Sequence, residues 1–374
     1  MRSHAGSVSR KFASMIFSGI LLAFPSIMAL TTFSNQFSLR RLKKEKISFS
    51  GSVVVIVPLR NEASNVRDII YSLKNQMGLP NLRIILIDDN SSDQTVQLLR
   101  ETTADDPRIL LIEGESLPDG WMGKPFALHQ GFLKSDSDLL VLIDADVRLE
   151  QYAIAQAIAI LQNENLDFLS AYPKEIARTW SERLIQPLLQ WSWMATVPLK
   201  IAARSSNPAF AIANGQFFLL RRDSLASVGE FKSIKQEVID DIAMARVLMR
   251  HGFHGTVADA SLVASCRMYK SWEQLREGYS KSLPVAFGGL FGSCLVALFL
   301  FLTGVLPFIS ASTGSMVGVS ATLLIYLSRL LSARKTGGSL VDLLFHPISS
   351  ILLIFLIIRS WRDRGHAQWK GRTV

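Results

Sequence analysis

Two carboxylates, Asp144 and Asp146, stand one residue apart where an apolar run, Leu139–Ile143, ends. Like charges at the mouth of a core bring no structural gain, so the spacing asks for a cation. On an extended chain, residues i and i+2 point the same way, and the pair can address one ion. A second acidic pair, Asp88 and Asp89, opens "DDNSSDQT" (88–95) behind another apolar run. Ordinary helix capping accounts for Asp93 and Ser91. It does not account for Asp88, Asp89, Asp144 and Asp146 together. Converging carboxylates need a cation to relieve their repulsion. Their hard oxygens suit Mg2+ or Mn2+, ions that in turn grip phosphates.

The elements that must carry these residues alternate in a βα rhythm between residues 50 and 270. Apolar runs of strand length occupy 53–58, 83–88, 108–113 and 139–144, and helix-like stretches occupy 63–77, 93–104, 124–134 and 150–162. Continuous apolar strands alternating with helices predict an α/β fold with a mostly parallel sheet covered on both faces. In such sheets ligands bind beyond the carboxyl ends of the strands, which is where the polar residues collect. The first strand ends in Pro58-Leu59-Arg60-Asn61-Glu62, the second in the 88–95 run, the fourth in Asp144-Ala145-Asp146. Neither GxGxxG nor GxxxxGK[ST] occurs, which disfavours a dinucleotide site and a P-loop.

Composition adds a membrane. The chain has 374 residues, 49% of them hydrophobic, and a formal charge of +9. Its two cysteines, Cys266 and Cys294, imply no disulfide framework and no CxxC metal pattern. Phe12–Phe33 is 22 residues without a charge, enough to span a core of roughly 30 Å at about 1.5 Å per residue. Five basic residues follow it (Arg40, Arg41, Lys43, Lys44, Lys46) against three before it (Arg2, Arg10, Lys11), which places residue 40 onward in the cytoplasm. Leu283–Ser328 carries no charge over 46 residues and reads as two spans with a turn near 310–315. Leu343–Ile358 is a third, shorter run of 16. If all four segments cross, the basic tail ends outside. Either a C-terminal segment is re-entrant or interfacial, the short third one foremost, or the N-terminal assignment fails.

Read in order, "VVVIVPLRNEASNV", "RIILIDDNSSDQT", "GWMGKPFALHQGF", "LIDADV", "NGQF" and "EVIDDIAMARVLMRHG" resemble a family 2 glycosyltransferase of GT-A (nucleotide-diphospho-sugar transferase) fold over about residues 50–270. "RMYKSW" (267–272), the C-terminal spans and the closing "WKGR" (369–372) resemble a membrane subgroup that glycosylates hydrophobic acceptors such as carotenoids or works in hopanoid-linked pathways. The resemblance implies roles. Asp144 and Asp146 match the DxD motif that holds a divalent metal and, through it, the diphosphate of a nucleotide sugar, with UDP as leaving group. Asp89 matches the aspartate that bonds the uracil ring. Pro58, Arg60 and Glu62 match the nucleotide-contacting loop, although Glu62 is equally a first-turn helix acid. Lys124 matches a basic residue near the nucleotide; otherwise it is a surface lysine. Asn214 and Gln216 match the loop that contacts diphosphate or acceptor. Asp241 matches the general base, the second of two acids where the family has Glu-Asp and this chain has Asp240-Asp241. One base and one displacement imply inversion at the anomeric centre.

One departure bears on the product. The Q-x-x-R-W of processive polysaccharide synthases is absent, and "CRMYKSW" occupies its region; transfer of a single sugar is expected. "LIQPLLQWSWMATVPL" (184–199) reads as an interfacial helix or as a buried core helix, and "SWEQLREGYSKS" (271–282) puts Trp272, Leu275 and Tyr279 on one face, as interfacial helices do. The basic charge then suits anionic headgroups and a nucleotide diphosphate rather than nucleic acid. The expected organisation is an N-terminal transmembrane anchor and basic linker (1–48), a GT-A domain (49–270), an interfacial helix (271–282) and a C-terminal transmembrane region with a basic tail (283–374). The expectation is a multi-pass cell-membrane enzyme, its catalytic domain cytoplasmic, moving one sugar to a lipid-like hydroxyl. The rivals are a processive polysaccharide synthase, a catalytically silent membrane scaffold and a nucleotidyltransferase.

Overall fold

The computed structural model describes residues 2–364, 368–369 and 372–373, with side chains from residue 15 to 364. Arg2, Arg10 and Lys11 as side chains, and Lys370 and Gly371 of the "WKGR" motif, lie outside what is described. The chain forms two compact units. One comprises Ser38–Ala177 and Leu199–Lys270; the other comprises the N-terminal helix, Arg178–Pro198 and Ser271–Arg364.

The first unit is an eight-stranded sheet. In chain order its strands are β1 (Arg40–Arg41), β2 (Val53–Leu59), β3 (Leu82–Asp88), β4 (Ile109–Glu113) and β5 (Leu139–Ile143), then, after the short β6 (Val147–Leu149), β7 (Phe168–Tyr172), and, after β8 (Lys174–Glu175), β9 (Phe217–Arg221) and β10 (Gly255–Asp259). The spatial order is β1-β10-β7-β9-β5-β2-β3-β4. Successive side chains of one strand enter opposite layers. Val53, Val55 and Val57 join Ile84 and Leu86 in one core; Val54 and Ile56 join Ile85 and Ile87 in the other. Burial on both faces is why these strands read as unbroken Val, Ile and Leu.

All described pairings in this sheet are parallel except those of β9, which runs antiparallel between β5 and β7. That reversal has a consequence for chemistry. The start of β9 meets the carboxyl end of β5, with Phe217 opposite Ile143, and Asp144 N donates to Gln216 O at 3.1 Å. The "NGQF" and "DAD" segments, 70 residues apart in sequence, are therefore neighbours. A second sheet stands beside them: β11 (Ala264–Cys266) pairs antiparallel with β6 and parallel with β8.

The second unit is helical. Among the described residues, four helices are long and apolar enough to cross a membrane: Met15–Ser38, Leu290–Ser312, Met316–Thr336 and Val341–Arg362. The turn expected near 310–315 falls at Thr313–Ser315. The third C-terminal segment is longer than its uncharged stretch, because a short 3-10 turn, Val341–Phe345, leads into a helix, His346–Arg362. Two expectations are corrected. Trp180–Thr196 clusters with the helical unit, so the expected 49–270 block is interrupted, and its Trp191 and Trp193 are buried. The helix Trp272–Ala286 turns Leu275, Tyr279 and Leu283 inward, while Trp272 stacks on Trp180 at 5.3 Å. The face that read as interfacial is packed, because apolar residues at helical spacing serve a helix neighbour as well as a bilayer.

Candidate active site

The loops beyond β2 and β3 are stitched together by side chains. The Arg60 guanidinium donates to Asp89 O at 2.6 Å and Asn90 O at 2.9 Å. Asn61 N donates to Ser91 Oγ, and Asn61 Oδ1 accepts from Ser92 N. Glu62 N donates to Thr95 Oγ1 at 2.8 Å, and Ala63 N to Asp93 Oδ2 at 3.2 Å. Asn61 and Asn90 have φ of 50° and 54°, a left-handed conformation that asparagine tolerates better than most residues. Asp88 and Asp89 are both buried behind this loop pair. Pro58 lies within β2 and is partly exposed.

Beyond β5 the charged residues converge. Lys124, in the first turn of helix Gly123–Leu133, places Nζ 2.8 Å from Asp144 Oδ1 and 3.5 Å from Asp240 Oδ2. Asp241, in the first turn of helix Asp240–Arg250, accepts from Gly215 N at 2.6 Å through Oδ2 and from Ile242 N at 2.7 Å through Oδ1. A Cβ on Gly215 would stand 3.0 Å from Lys124 Nζ and 3.3 Å from Asp241 Cβ. The residues flanking Gly215 hold the loop: Asn214 Nδ2 donates to Gln216 Oε1, Gln216 N to Asn214 Oδ1, and Asn214 N to Ser170 Oγ.

The electrostatics follow from crowding. Burial works against the Lys124 ammonium, but Asp144, Asp240 and Asp241 outweigh it and raise its pKa. Burial pushes the Asp144 carboxyl up against the pull of Lys124, with added repulsion from Asp240 and Glu62. Burial, then the neighbouring Asp240, lifts Asp241 to about 6, although Lys124 and the two backbone N–H groups stabilise its anion. A carboxyl at that value is ionised at neutral pH yet holds a proton better than an ordinary aspartate.

Asp146 faces a different group. Its carboxyl bonds the Cys266 thiol, which burial and the acids around it push well up. Glu175 approaches from β8; burial lifts it to about 8, with Asp146 adding repulsion and Gln216 opposing. Tyr269 is buried beside them, and its pKa is raised by burial first and by these acids second. Glu175 Oε2 is fully enclosed and has no hydrogen-bond partner among the described residues.

The structure thus brings Lys124, Asp144, Asp240, Asp241 and Gly215 together, with Glu62 near enough to act on Asp144. Arg60 binds the carbonyls of the second loop. Asn214 and Gln216 are buried and bonded to each other. Among the described residues, no three His, Cys, Asp or Glu side chains stand close enough to form a protein cage for a metal. Sequence reasoning assigned no role to Glu175, Cys266 or Tyr269: no motif marks Glu175, and the other two lie within the quoted "CRMYKSW" without having been picked out as site residues. It also passed over Gly215, although a glycine inside "NGQF" beside the DxD partner was a visible sign of close approach.

Comparison with known proteins bears on the family and the fold. The description Glycosyl transferase family 2 matches residues 54–229. The 4,4'-diaponeurosporenoate glycosyltransferase of Staphylococcus aureus (strain bovine RF122 / ET3-1) is 26% identical over 352 residues, covering 89% of this chain and 91% of the relative. The protein of the same description from strain MRSA252 is 25% identical with the same coverage. A mannosyltransferase from Pyrobaculum calidifontis, solved with GDP-Man and Mn2+, shares the fold at a TM-score of 0.52 and 16% identity, covering 93% of this chain and 98% of that one. Over residues 54–229 the chain matches the family 2 glycosyltransferase domain, and it is a glycosyltransferase of GT-A fold that resembles the carotenoid glycosyltransferases.

Proposed function

We propose that the protein moves one sugar, with inversion, from a nucleoside-diphosphate sugar (UDP in the first instance) to a hydroxyl of a lipid-like acceptor, as a multi-pass membrane enzyme whose catalytic domain faces the cytoplasm. The observation that carries this reading is Asp241. Its carboxylate is clamped by Gly215 N and Ile242 N beside a lysine and the DxD aspartate, and its pKa of about 6 suits a base. Asp241 takes the proton of the acceptor hydroxyl as its oxygen bonds to the anomeric carbon. The bond from that carbon to the diphosphate breaks in the same displacement, which inverts the centre.

Asp144 and Asp146 are the residues for a divalent ion. The donor chemistry fits: two hard carboxylates without a protein cage suit a cation completed by diphosphate oxygens and water. The ammonium of Lys124 against Asp144 supports a place for positive charge, and Asp146, bonded to the Cys266 thiol, would have to turn toward it. When bound, Mg2+ or Mn2+ supplies Lewis-acid stabilisation of the leaving diphosphate. Lys124 adds fixed positive charge nearby. Asp89, Pro58, Arg60 and Glu62 form the nucleotide side, Asn214 and Gln216 the loop next to the acceptor. Support for the donor and metal comes from the structural relative solved with GDP-Man and Mn2+. Support for a hydrophobic acceptor comes from the diaponeurosporenoate relatives, and for membrane embedding from the four apolar helices.

The relatives' name favours a second reading of the acceptor. Diaponeurosporenoate is a carboxylate, already a nucleophile at neutral pH, and transfer to a carboxylate needs no proton removed by Asp241. The metal role is tested by removal and by mutation. EDTA is expected to abolish turnover reversibly, and Asp144→Ala and Asp146→Ala to abolish it outright. Full activity in EDTA without divalent ion overturns the metal assignment.

A further inference from the structure

We infer that the last apolar helix, His346–Arg362, does not cross the bilayer: the chain re-enters after Thr336, and Arg364 ends on the side where residue 38 emerges. This rests on reading the helical unit as membrane-embedded. By length and composition Val341–Arg362 passes as a span, and four spans would put Arg364 on the opposite side.

Contacts within the helical unit give each helix a direction. Thr32 Oγ1 bonds Ser328 Oγ at 2.7 Å, and Gln36 O accepts from Lys335 Nζ at 2.9 Å. Rising numbers in the N-terminal helix meet rising numbers in Met316–Thr336. The two helices run the same way, and residues 38 and 336 reach one side. Leu290–Gly304 and Leu306–Ser312 precede the turn at Thr313–Ser315, and Gly318 packs so closely on Ser310 and Ala311 that a Cβ has no room. That arm is antiparallel to Met316–Thr336, so it starts on the side of residues 38 and 336, and the turn lies on the far side.

His346–Arg362 then follows the antiparallel sense again. Gly304 has no room for a Cβ against Ser350, and such an atom would stand 3.5 Å from His346 Nε2. The Phe308 ring lies 5.9 Å from that of His346. Residue 304 meets 350 and 346, and residue 308 meets 346, so the numbers run in opposite directions. The helix is antiparallel to the 290–312 arm and parallel to Met316–Thr336. It also packs along Trp272–Ala286, the helix that leads into residue 290. Its start lies near the middle of Met316–Thr336, not at its end. The His346 ring is 5.0 Å from Trp191, whose Nε1 bonds Ser328 Oγ, and Phe308 is 5.5 Å from Tyr326. Between the helices, Asp342 O is 3.5 Å from Arg329 Nη2. From Thr336 the chain therefore climbs back past the level of Arg329 to about that of Tyr326, turns, and descends.

Non-helical backbone at membrane depth survives only when protein satisfies it. Here the Asp342 carboxylate accepts two bonds from Arg183, at 2.8 and 2.6 Å, and Arg329 donates to Pro187 O at 3.1 Å. Asp342 and Arg329 are each 2% exposed. The exposed apolar face of the last helix, Ile348, Ile351, Phe355 and Ile358, covers about 15 Å, half of a core of roughly 30 Å. Re-entry also gathers Arg334, Lys335, Arg359 and Arg362 on the side of Arg40, Arg41, Lys43 and Lys44, the distribution the positive-inside rule asks of cytoplasmic segments.

Single cysteines in the full chain test this, with Cys294→Ser as background and the buried Cys266 retained. Lys44→Cys, Thr313→Cys and Arg364→Cys are labelled with a membrane-impermeant maleimide in sealed cells and again after permeabilisation. Lys44→Cys and Arg364→Cys are expected to stay unlabelled until permeabilisation, and Thr313→Cys to label in sealed cells. Arg364→Cys sharing the side of Thr313→Cys overturns re-entry, and all three on one side overturns the spans themselves. The readout does not depend on sugar transfer, so a failure here is distinct from a failure of the enzymatic reading.

Discussion

Asp241 differs from an ordinary helix-start acid in what surrounds it. Two backbone donors fix both oxygens, and the carboxyl is lifted to about 6 by burial and Asp240. Asp241→Asn keeps the size but cannot accept a proton, so transfer to a hydroxyl should fall by roughly two to four orders of magnitude with donor affinity nearly unchanged. Asp240→Asn should cost less, since Asp240 meets Lys124 at 3.5 Å and makes no comparable clamp. The base must be ionised, so the wild-type rate should rise with pH through about 6. A carboxylate acceptor would show neither the loss nor that limb, which separates the two acceptor readings by kinetics alone. Asp241 was singled out by its motif; its clamp was not legible, because the donor at residue 215 comes from another element. Glu175 had no sequence signal at all. Its folded pKa of about 8 lies above the ordinary 4.5, so its contribution to stability is fully present below pH 4.5 and is lost as pH rises through 8. Glu175→Gln should remove that slope, gaining a few kcal/mol relative to wild type at pH 9. Parallel chemical-denaturation curves at pH 5 and 9 measure it, and equal slopes in both proteins would refute the buried-acid account.

Among the elements, β9 decides the site. The rhythm of apolar runs revealed β2 to β5 within a residue or two, since buried parallel strands write themselves as continuous Val, Ile and Leu. The reversal of β9 left no such mark. Its "FFLLR" is as apolar as its parallel neighbours, yet only an antiparallel strand brings Asn214-Gly215-Gln216 to the carboxyl end of β5. The first turn of helix Asp240–Arg250 then docks its acid on Gly215. Gly215→Ala tests that docking without touching a charge. The new methyl would meet Lys124 Nζ at 3.0 Å and Asp241 Cβ at 3.3 Å, displacing both by a few tenths of an ångström. Turnover should fall by about tenfold to a hundredfold, since misplacement below 1 Å already weakens an aligned site. Circular dichroism and the unfolding midpoint should be nearly unchanged. Wild-type turnover in Gly215→Ala would show that the Gly215 contact does not set the geometry of the base.

At the scale of the molecule, the chain is an α/β catalytic unit whose sequence is interrupted by a helix of the other unit. The apolar runs made the four long apolar helices legible, but not the directions in which they pack, because hydropathy carries length and no polarity. Nor did it show that Trp180–Thr196 leaves the 49–270 block, since tryptophans at helical spacing serve a packed core and an interface alike. The proposed reaction joins a charged, water-soluble donor to a hydrophobic acceptor, and the most direct test makes both visible at once. Membranes containing the full chain are incubated with labelled nucleotide sugars and divalent ion, and the lipids are extracted for mass spectrometry. The account predicts one new glycolipid, heavier than its parent by a single sugar and missing when the Asp241→Asn protein replaces wild type. A ladder of added sugars, or label only in water-soluble glycan, would contradict it.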